Sequence, residues 1–258
     1  MSAKDEPDAA MSQACAPADT VSYGPDAAQV YDVRLPAEVG DGVPSVVVIH
    51  GGFWRACYDR SHAAAQAQGF AERGHPTAVL EYRRTGMPGG GYPGTLDDIR
   101  IGLAAVVADG RFPEPRVVVG HSAGGQLAVW ALSELPGFAG AVSLAGCVDL
   151  GLVAELNLGD GALAEFIGGS PEEFPERYTD ADPSRRLPTP VPVVLIHGDD
   201  DDEVPWSVSG SYAAKAARAG SPVKLVRVPG VGHYELIDPT NLVLGVVVEN
   251  LGWLASRG

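Results

Sequence analysis

The chain has 258 residues, enough for one large α/β domain or two small ones. Its composition is globular, 45% hydrophobic and 20% charged with 33 Gly and 21 Pro, which excludes collagen-like, coiled-coil and wholly disordered chains. Acidic residues number 33 against 18 basic ones, and the resulting charge of −15 disfavours nucleic acid and anionic membrane surfaces as partners.

Residues 1–20 carry Asp5, Glu6, Asp8 and Asp19 among Ala, Ser and Pro, with no basic stretch leading into an apolar one. They read as a disordered acidic tail, and a cytoplasmic chain is expected. No apolar run approaches the roughly 20 residues needed to cross a bilayer. Cys15, Cys57 and Cys147 have no metal-type spacing. Neither a disulfide nor a metal site is therefore expected, and Cys57 and Cys147 read as small buried residues.

Residues 21–258 read as one domain in which strand-length apolar runs alternate with helical stretches, the pattern of a mostly parallel sheet with helices on both faces. The alternating run 30–35 is expected as an antiparallel edge strand. The continuous apolar runs 45–50 (SVVVIH) and 116–120 (RVVVG) read as strands buried on both faces, and 77–82, 139–144, 193–197 and 223–228 complete the sheet. Ser61 is expected to cap a helix ending at Gly74. Thr95, with Asp98 three residues on, resembles a capping box for a helix that turns Ile99, Leu103 and Val106 inward. Helices are also expected over 123–135, 207–219 and 239–256, the last burying Val243, Val247, Leu251 and Leu254. Residues 148–192 break the alternation and read as a small cap inserted over the carboxyl edge of the sheet.

Gly120-His121-Ser122-Ala123-Gly124 matches G-x-S-x-G, follows a buried strand and opens a helix, which is the context a nucleophilic serine on a sharp turn requires. His50-Gly51-Gly52-Phe53-Trp54 follows another buried strand. Glycines there let backbone N–H groups approach a developing oxyanion, and the motif geometry assigns that part to the amides of Gly52, Phe53 and Ala123. A serine needs a base and a group to hold it, in the chain order Ser, acid, His. His233, in a loop after the last strand, is the base. His62 and His75 read as surface or packing residues, and His50, His121 and His197 as hydrogen-bonding neighbours of the site. The acid is one of the run Asp199, Asp200, Asp201, Asp202 and Glu203, most of which must stay solvated. That run is not an EF-hand loop, since its sixth and twelfth positions are Val204 and Gly210.

Together, His50-Gly-Gly-Phe-Trp, Gly120-His-Ser-Ala-Gly-Gly, His197-Gly-x-x-Asp201-x-x-Val204-Pro205 and Gly232-His233 resemble the α/β-hydrolase superfamily over residues 30–253. Within it the chain is similar to bacterial carboxylesterase-like hydrolases and to kynurenine formamidases, whose first motif reads His-Gly-Gly-Tyr-Trp. The resemblance implies the α/β-hydrolase fold, a cofactor-free hydrolase of esters or aryl formamides, and Asp201 as the acid, with Asp200 and Asp202 in reserve. Phe53 stands where the formamidases have tyrosine, which weakens the formamidase assignment.

The expected partner is a small-molecule acyl substrate, with the oligomeric state left open between monomer and homodimer. Trp54, Tyr58, Tyr92, Phe166, Trp206 and Tyr234 fall near the motifs or in the insertion and are candidates for an apolar substrate pocket. Arg55, Arg83 and Arg84 lie after strand ends, as clamps for a substrate carboxylate or as structural ion pairs. Two other readings share these residues: an acyltransferase, thioesterase or lactone-forming enzyme, and a non-catalytic binder.

Overall fold

The computed structural model describes residues 16–40 and 42–257. Eight strands, β1 (Asp19–Ser22), β2 (Val30–Arg34), β3 (Ser45–Ile49), β4 (Thr77–Leu80), β5 (Arg116–His121), β6 (Gly140–Leu144), β7 (Val193–Gly198) and β8 (Val223–Val228), form one sheet in the order β1-β2-β4-β3-β5-β6-β7-β8. The pairs β1·β2 and β2·β4 are antiparallel and the others parallel.

Two expectations at the amino-terminal side change. The strand 30–35 is antiparallel, but it is not the edge, because β1 pairs outside it. That strand also begins within the stretch read as tail, whose residues 1–15 lie outside the described residues. Its apolar content is too low to mark it locally, and its order comes from pairing with β2.

The central strands bury both faces, as their unbroken valine runs require. Val47 and Ile49 of β3 point into one core with Val118 and Leu195, while Val46 and Val48 point into the other with Val119 and Ile196. The first core is closed by α2 (Gly94–Ala108), α3 (Ala123–Ala131) and α7 (Ser207–Ala219), the second by α1 (Ala64–Ala71) and α8 (Val243–Ala255). Leu96, Ile99, Leu103 and Val106 of α2 are buried, as are Val243, Val247, Leu251 and Leu254 of α8. Each such aliphatic side chain stabilises the fold by about 1.5–3 kcal/mol relative to exposure.

Helix starts follow other residues than the sequence suggests. Asp59, not Ser61, caps the 3₁₀ turn Arg60–Ala63 that leads into α1, accepting the Ser61 N–H at 2.8 Å. Thr95 and Asp98 form no capping box. Thr95 Oγ1 donates to the Arg83 carbonyl at 2.6 Å, and Asp98 receives the Arg83 guanidinium at 2.7 Å, so the pair ties α2 to the loop after β4. Residues 148–192 carry three short helices, α4 (Leu150–Glu155), α5 (Ala162–Ile167) and α6 (Pro175–Ala181). Among the described residues no helix is long and apolar enough to cross a membrane.

Candidate active site

The site begins at the turn between β5 and α3. Ser122 sits there at φ 54, ψ −121, a conformation that costs an L-residue of order 1–3 kcal/mol and persists only where its surroundings enforce it. The enforcement is steric. A Cβ on Gly120 would lie 2.1 Å from the Gly124 carbonyl oxygen, and one on Gly124 would lie 2.2 Å from that of Ile49. Only glycine at both positions lets the turn close against β3. The Ser122 N–H donates to Leu144 O at 2.9 Å, and Cys147, after β6, donates its N–H to Ser122 O at 3.2 Å. The Cys147 thiol is buried, and burial pushes its pKa up to about 12. Cys57, expected to be buried, is exposed, because the turn that carries it runs over the surface.

Beside this turn lies the loop after β3. Phe53 and Trp54 both take left-handed φ values, 54 and 55, directly after Gly52 at 107. Among the described residues no hydrogen bond uses the N–H of Gly52 or Phe53, nor that of Ala123, which opens α3 and so has no intrahelical acceptor. The loop is anchored from behind. His50 is buried between the Gly51 carbonyl, 2.7 Å from Nδ1, and the Glu81 carboxylate, 3.1 Å from Nε2. Burial acts to raise the pKa of Glu81, but hydrogen bonding and charge from His50, the Arg60 N–H and the Arg84 charge outweigh it and hold the group below the ordinary carboxylate range.

The third part comes from the loops after β7 and β8. Asp201 is the carboxylate of its run that turns inward. Its Oδ2 lies 2.7 Å from His233 Nδ1 and 3.5 Å from His197 Nε2, and its Oδ1 accepts the N–H groups of Glu203 and Val204 at 3.0 and 2.8 Å. Burial would raise its pKa, but hydrogen bonds from the two imidazoles, the His233 charge and the Val204 amide overcome that and hold it well below the usual range. It is therefore an anion that only accepts, so His233 Nδ1 carries a proton, and whenever the ring is neutral Nε2 is its basic nitrogen. Asp199 instead pairs with Arg227 at 2.8 Å, and Asp200 and Asp202 are exposed.

His121, the residue before Ser122, joins the two parts. Its Nε2 donates to the His233 carbonyl at 3.0 Å, and its ring centroid lies 4.4 Å from that of His233. His197 is buried with Nε2 donating to Val204 O and Nδ1 accepting from Ser209, both at 2.8 Å, which holds the loop that presents Asp201. His75 bonds the Pro44 carbonyl and packs on Phe70, away from the site.

The aromatic candidates separate. Trp54 and Phe166 are each 1% exposed, stacked at 5.1 Å, with Trp54 Nε1 donating to Gln126 at 2.9 Å. They are core contacts that fasten the loop after β3 to α3 and α5, not open pocket walls, because burying two large rings outweighs leaving them to solvent. Tyr92 donates to Asp180 under the Arg177 guanidinium, and Trp206 stacks on Arg227. Tyr58 packs against Gly52, and Tyr234 lies 5.3 Å from the His233 ring. His62, read from the sequence as surface or packing, sits with them, its ring 6.0 Å from Tyr58 and 6.3 Å from Tyr234. No spacing in the chain marks it, since its position follows from the Asp59-capped turn.

The three candidate clamp arginines are all in ion pairs: Arg55 with Glu165 at 2.8 Å, Arg83 with Asp98 at 2.7 Å and Arg84 with Glu81 at 3.4 Å. Among the described residues no cluster of His, Cys, Asp or Glu could hold a metal ion.

The sheet order and its helices define an α/β-hydrolase, similar to carboxylesterase-like hydrolases. Residues 68–256 match the prolyl oligopeptidase family, and the chain belongs to that family. Among curated proteins it is 25% identical over 250 residues to a probable isoprenylcysteine alpha-carbonyl methylesterase of Oryza sativa subsp. japonica, covering 85% of this chain and 59% of the relative. It is 27% identical over 279 residues to the monoacylglycerol lipase of Mycolicibacterium smegmatis, covering 88% and 93%. The chain thus spans less than two thirds of the methylesterase. Among solved structures, a truncated carbohydrate esterase from gut microbiota superposes with a TM-score of 0.81 at 19% identity, covering 94% of this chain and 100% of that one, a likeness of fold.

Proposed function

We propose that the protein is a serine esterase that hydrolyses an uncharged carboxylic ester through Ser122, His233 and Asp201. The observation that carries this reading is the Asp201–His233 contact of 2.7 Å, joined to the Ser122 turn by the His121 hydrogen bond to the His233 carbonyl. In the reaction, His233 Nε2 takes the Ser122 hydroxyl proton as Oγ attacks the ester carbonyl. The amides of Gly52, Phe53 and Ala123 receive the oxyanion, each such donor contributing about 3 kcal/mol in the transition state. His233 then gives its proton to the departing alkoxide, leaving an acyl-serine that water hydrolyses by the same steps in reverse order. Asp201 holds the ring tautomer and stabilises the imidazolium.

An uncharged ester is favoured over an amino-acid-derived formamide for two reasons. Arg55, Arg83 and Arg84, the candidate carboxylate clamps, are all engaged with protein carboxylates, and position 53 is phenylalanine. The ester relatives point the same way.

The test uses purified protein with p-nitrophenyl acetate, an acyl thioester and N-formylkynurenine, with a fluorophosphonate label and Ser122→Ala as control. Ester turnover and labelling, both abolished in Ser122→Ala, are expected. No turnover of any acyl substrate together with no labelling would favour a binder instead, and faster cleavage of the formamide than of the ester would move the reading to a formamidase.

A further inference from the structure

The chain has six histidines, and five of them hold hydrogen bonds: His50, His75, His121, His197 and His233. His62 is the exception among the described residues. Its partly buried ring makes ring contacts with Tyr58, Tyr234 and His121, at 6.0, 6.3 and 6.1 Å, and no hydrogen bond. Tyr58 and Tyr234 stand at 60° and 87° to it, so His62 stacks on neither ring. An imidazole with nitrogens left over at such a place has a donor and an acceptor to offer to a ligand.

This group of rings lies beside His233, since Tyr234 contacts both imidazoles. In the mechanism proposed above His233 hands a proton to the departing alcohol, so the alcohol half of an ester would rest beside His233. The His62 ring is neutral there: burial, then the charges of His50 and His233, push its pKa down to about 4. The carboxylates of Asp202 and Glu203 also act on Tyr234, so the surroundings of these rings repel anions. A neutral donor–acceptor between aromatic walls suits a hydroxyl on a short carbon chain better than a carboxylate or phosphate.

We propose that His62 is a specificity-determining residue of the alcohol subsite, where its imidazole hydrogen-bonds a free hydroxyl on the leaving alcohol of a partial ester of a diol or polyol. This rests on the Ser122–His233 reading above. It predicts that the protein distinguishes two esters of one acid that differ only in that hydroxyl.

The experiment compares kcat/KM for 2-hydroxyethyl butyrate and ethyl butyrate. Wild type should prefer the hydroxylated ester, and His62→Phe, which keeps a ring against Tyr58 and Tyr234, should lower the ratio about tenfold, the worth of one well-placed hydrogen bond. His62→Gln, which keeps a donor and an acceptor, should retain more of the ratio than His62→Phe. A wild-type ratio near one, or an equal loss on both esters in His62→Phe, would overturn the inference. Labelling of Ser122 by a fluorophosphonate separates the two readings. If labelling and ester turnover persist while the ratio is unmoved, the role of His62 falls alone. If neither ester is cleaved and no label enters, the esterase reading falls with it.

Discussion

Asp201 uses both carboxylate oxygens at once, Oδ2 for His233 Nδ1 at 2.7 Å and Oδ1 for the N–H groups of Glu203 and Val204. One carboxylate therefore shapes its own loop and fixes the proton on the imidazole. In Asp201→Asn the amide can present an N–H to Nδ1 and favour the wrong tautomer. Asp201→Asn should lower kcat by about 10³–10⁴-fold while the protein stays folded. Asp200→Asn and Asp202→Asn, at exposed positions, should stay within about twofold in steady-state assays. A larger loss in either of them would move the role of acid to that residue.

Ser122 is held at φ 54, where glycine is comfortable and other residues are not. Ser122→Gly should therefore be more stable than Ser122→Ala by about 1 kcal/mol in urea denaturation, although both lose activity. Equal stability would mean that the turn stores no backbone strain.

Asp109 is held at about 2, against an ordinary 3.8, chiefly by hydrogen bonds from Arg111, with the Tyr31 hydroxyl adding to them at 2.8 Å. A depressed carboxylate contributes stability above its unfolded pKa and loses it as the pH falls through the folded one. Wild type should thus melt about 3 °C above Asp109→Asn at neutral pH. Scanning calorimetry between pH 6 and pH 2 should show that gap constant down to about pH 4 and closing below it. A gap that widens in acid would contradict the pairing.

Cys57 is exposed, while Cys147 is buried against Ser122 with its thiol pushed up to about 12. Iodoacetamide at pH 8, read by peptide mapping, should alkylate Cys57 in the folded protein and reach Cys147 only after denaturation. Alkylation of native Cys147 would show that the Ser122 turn opens in solution.

Much of this molecule is legible from local pattern. The valine runs around Val47 and Val118 declare strands buried on both faces, and the small residues around Ser122 declare a turn that tolerates no side chains. Other features are not local. Thr95 and Asp98 have the spacing of a helix cap, yet both bind Arg83 because the loop after β4 arrives there from elsewhere in the chain. Trp54 and Phe166 have the composition of a pocket, but they meet face to face in the core and leave Tyr58 and Tyr234 beside the imidazoles.

By itself the sequence determined the strand-helix alternation, the two-sided burial of the central strands and the serine, glycine-loop and histidine motifs at strand ends. Hydrophobic period and turn chemistry act over a few residues and so are written in the chain. The acidic run by itself left open which of its five residues reaches His233, Asp201 being implied only by the resemblance, and the tertiary structure decided that contact and brought His62 into the same cluster. Contacts between segments far apart in the chain depend on how whole loops close and pack, and no short window of residues encodes that geometry.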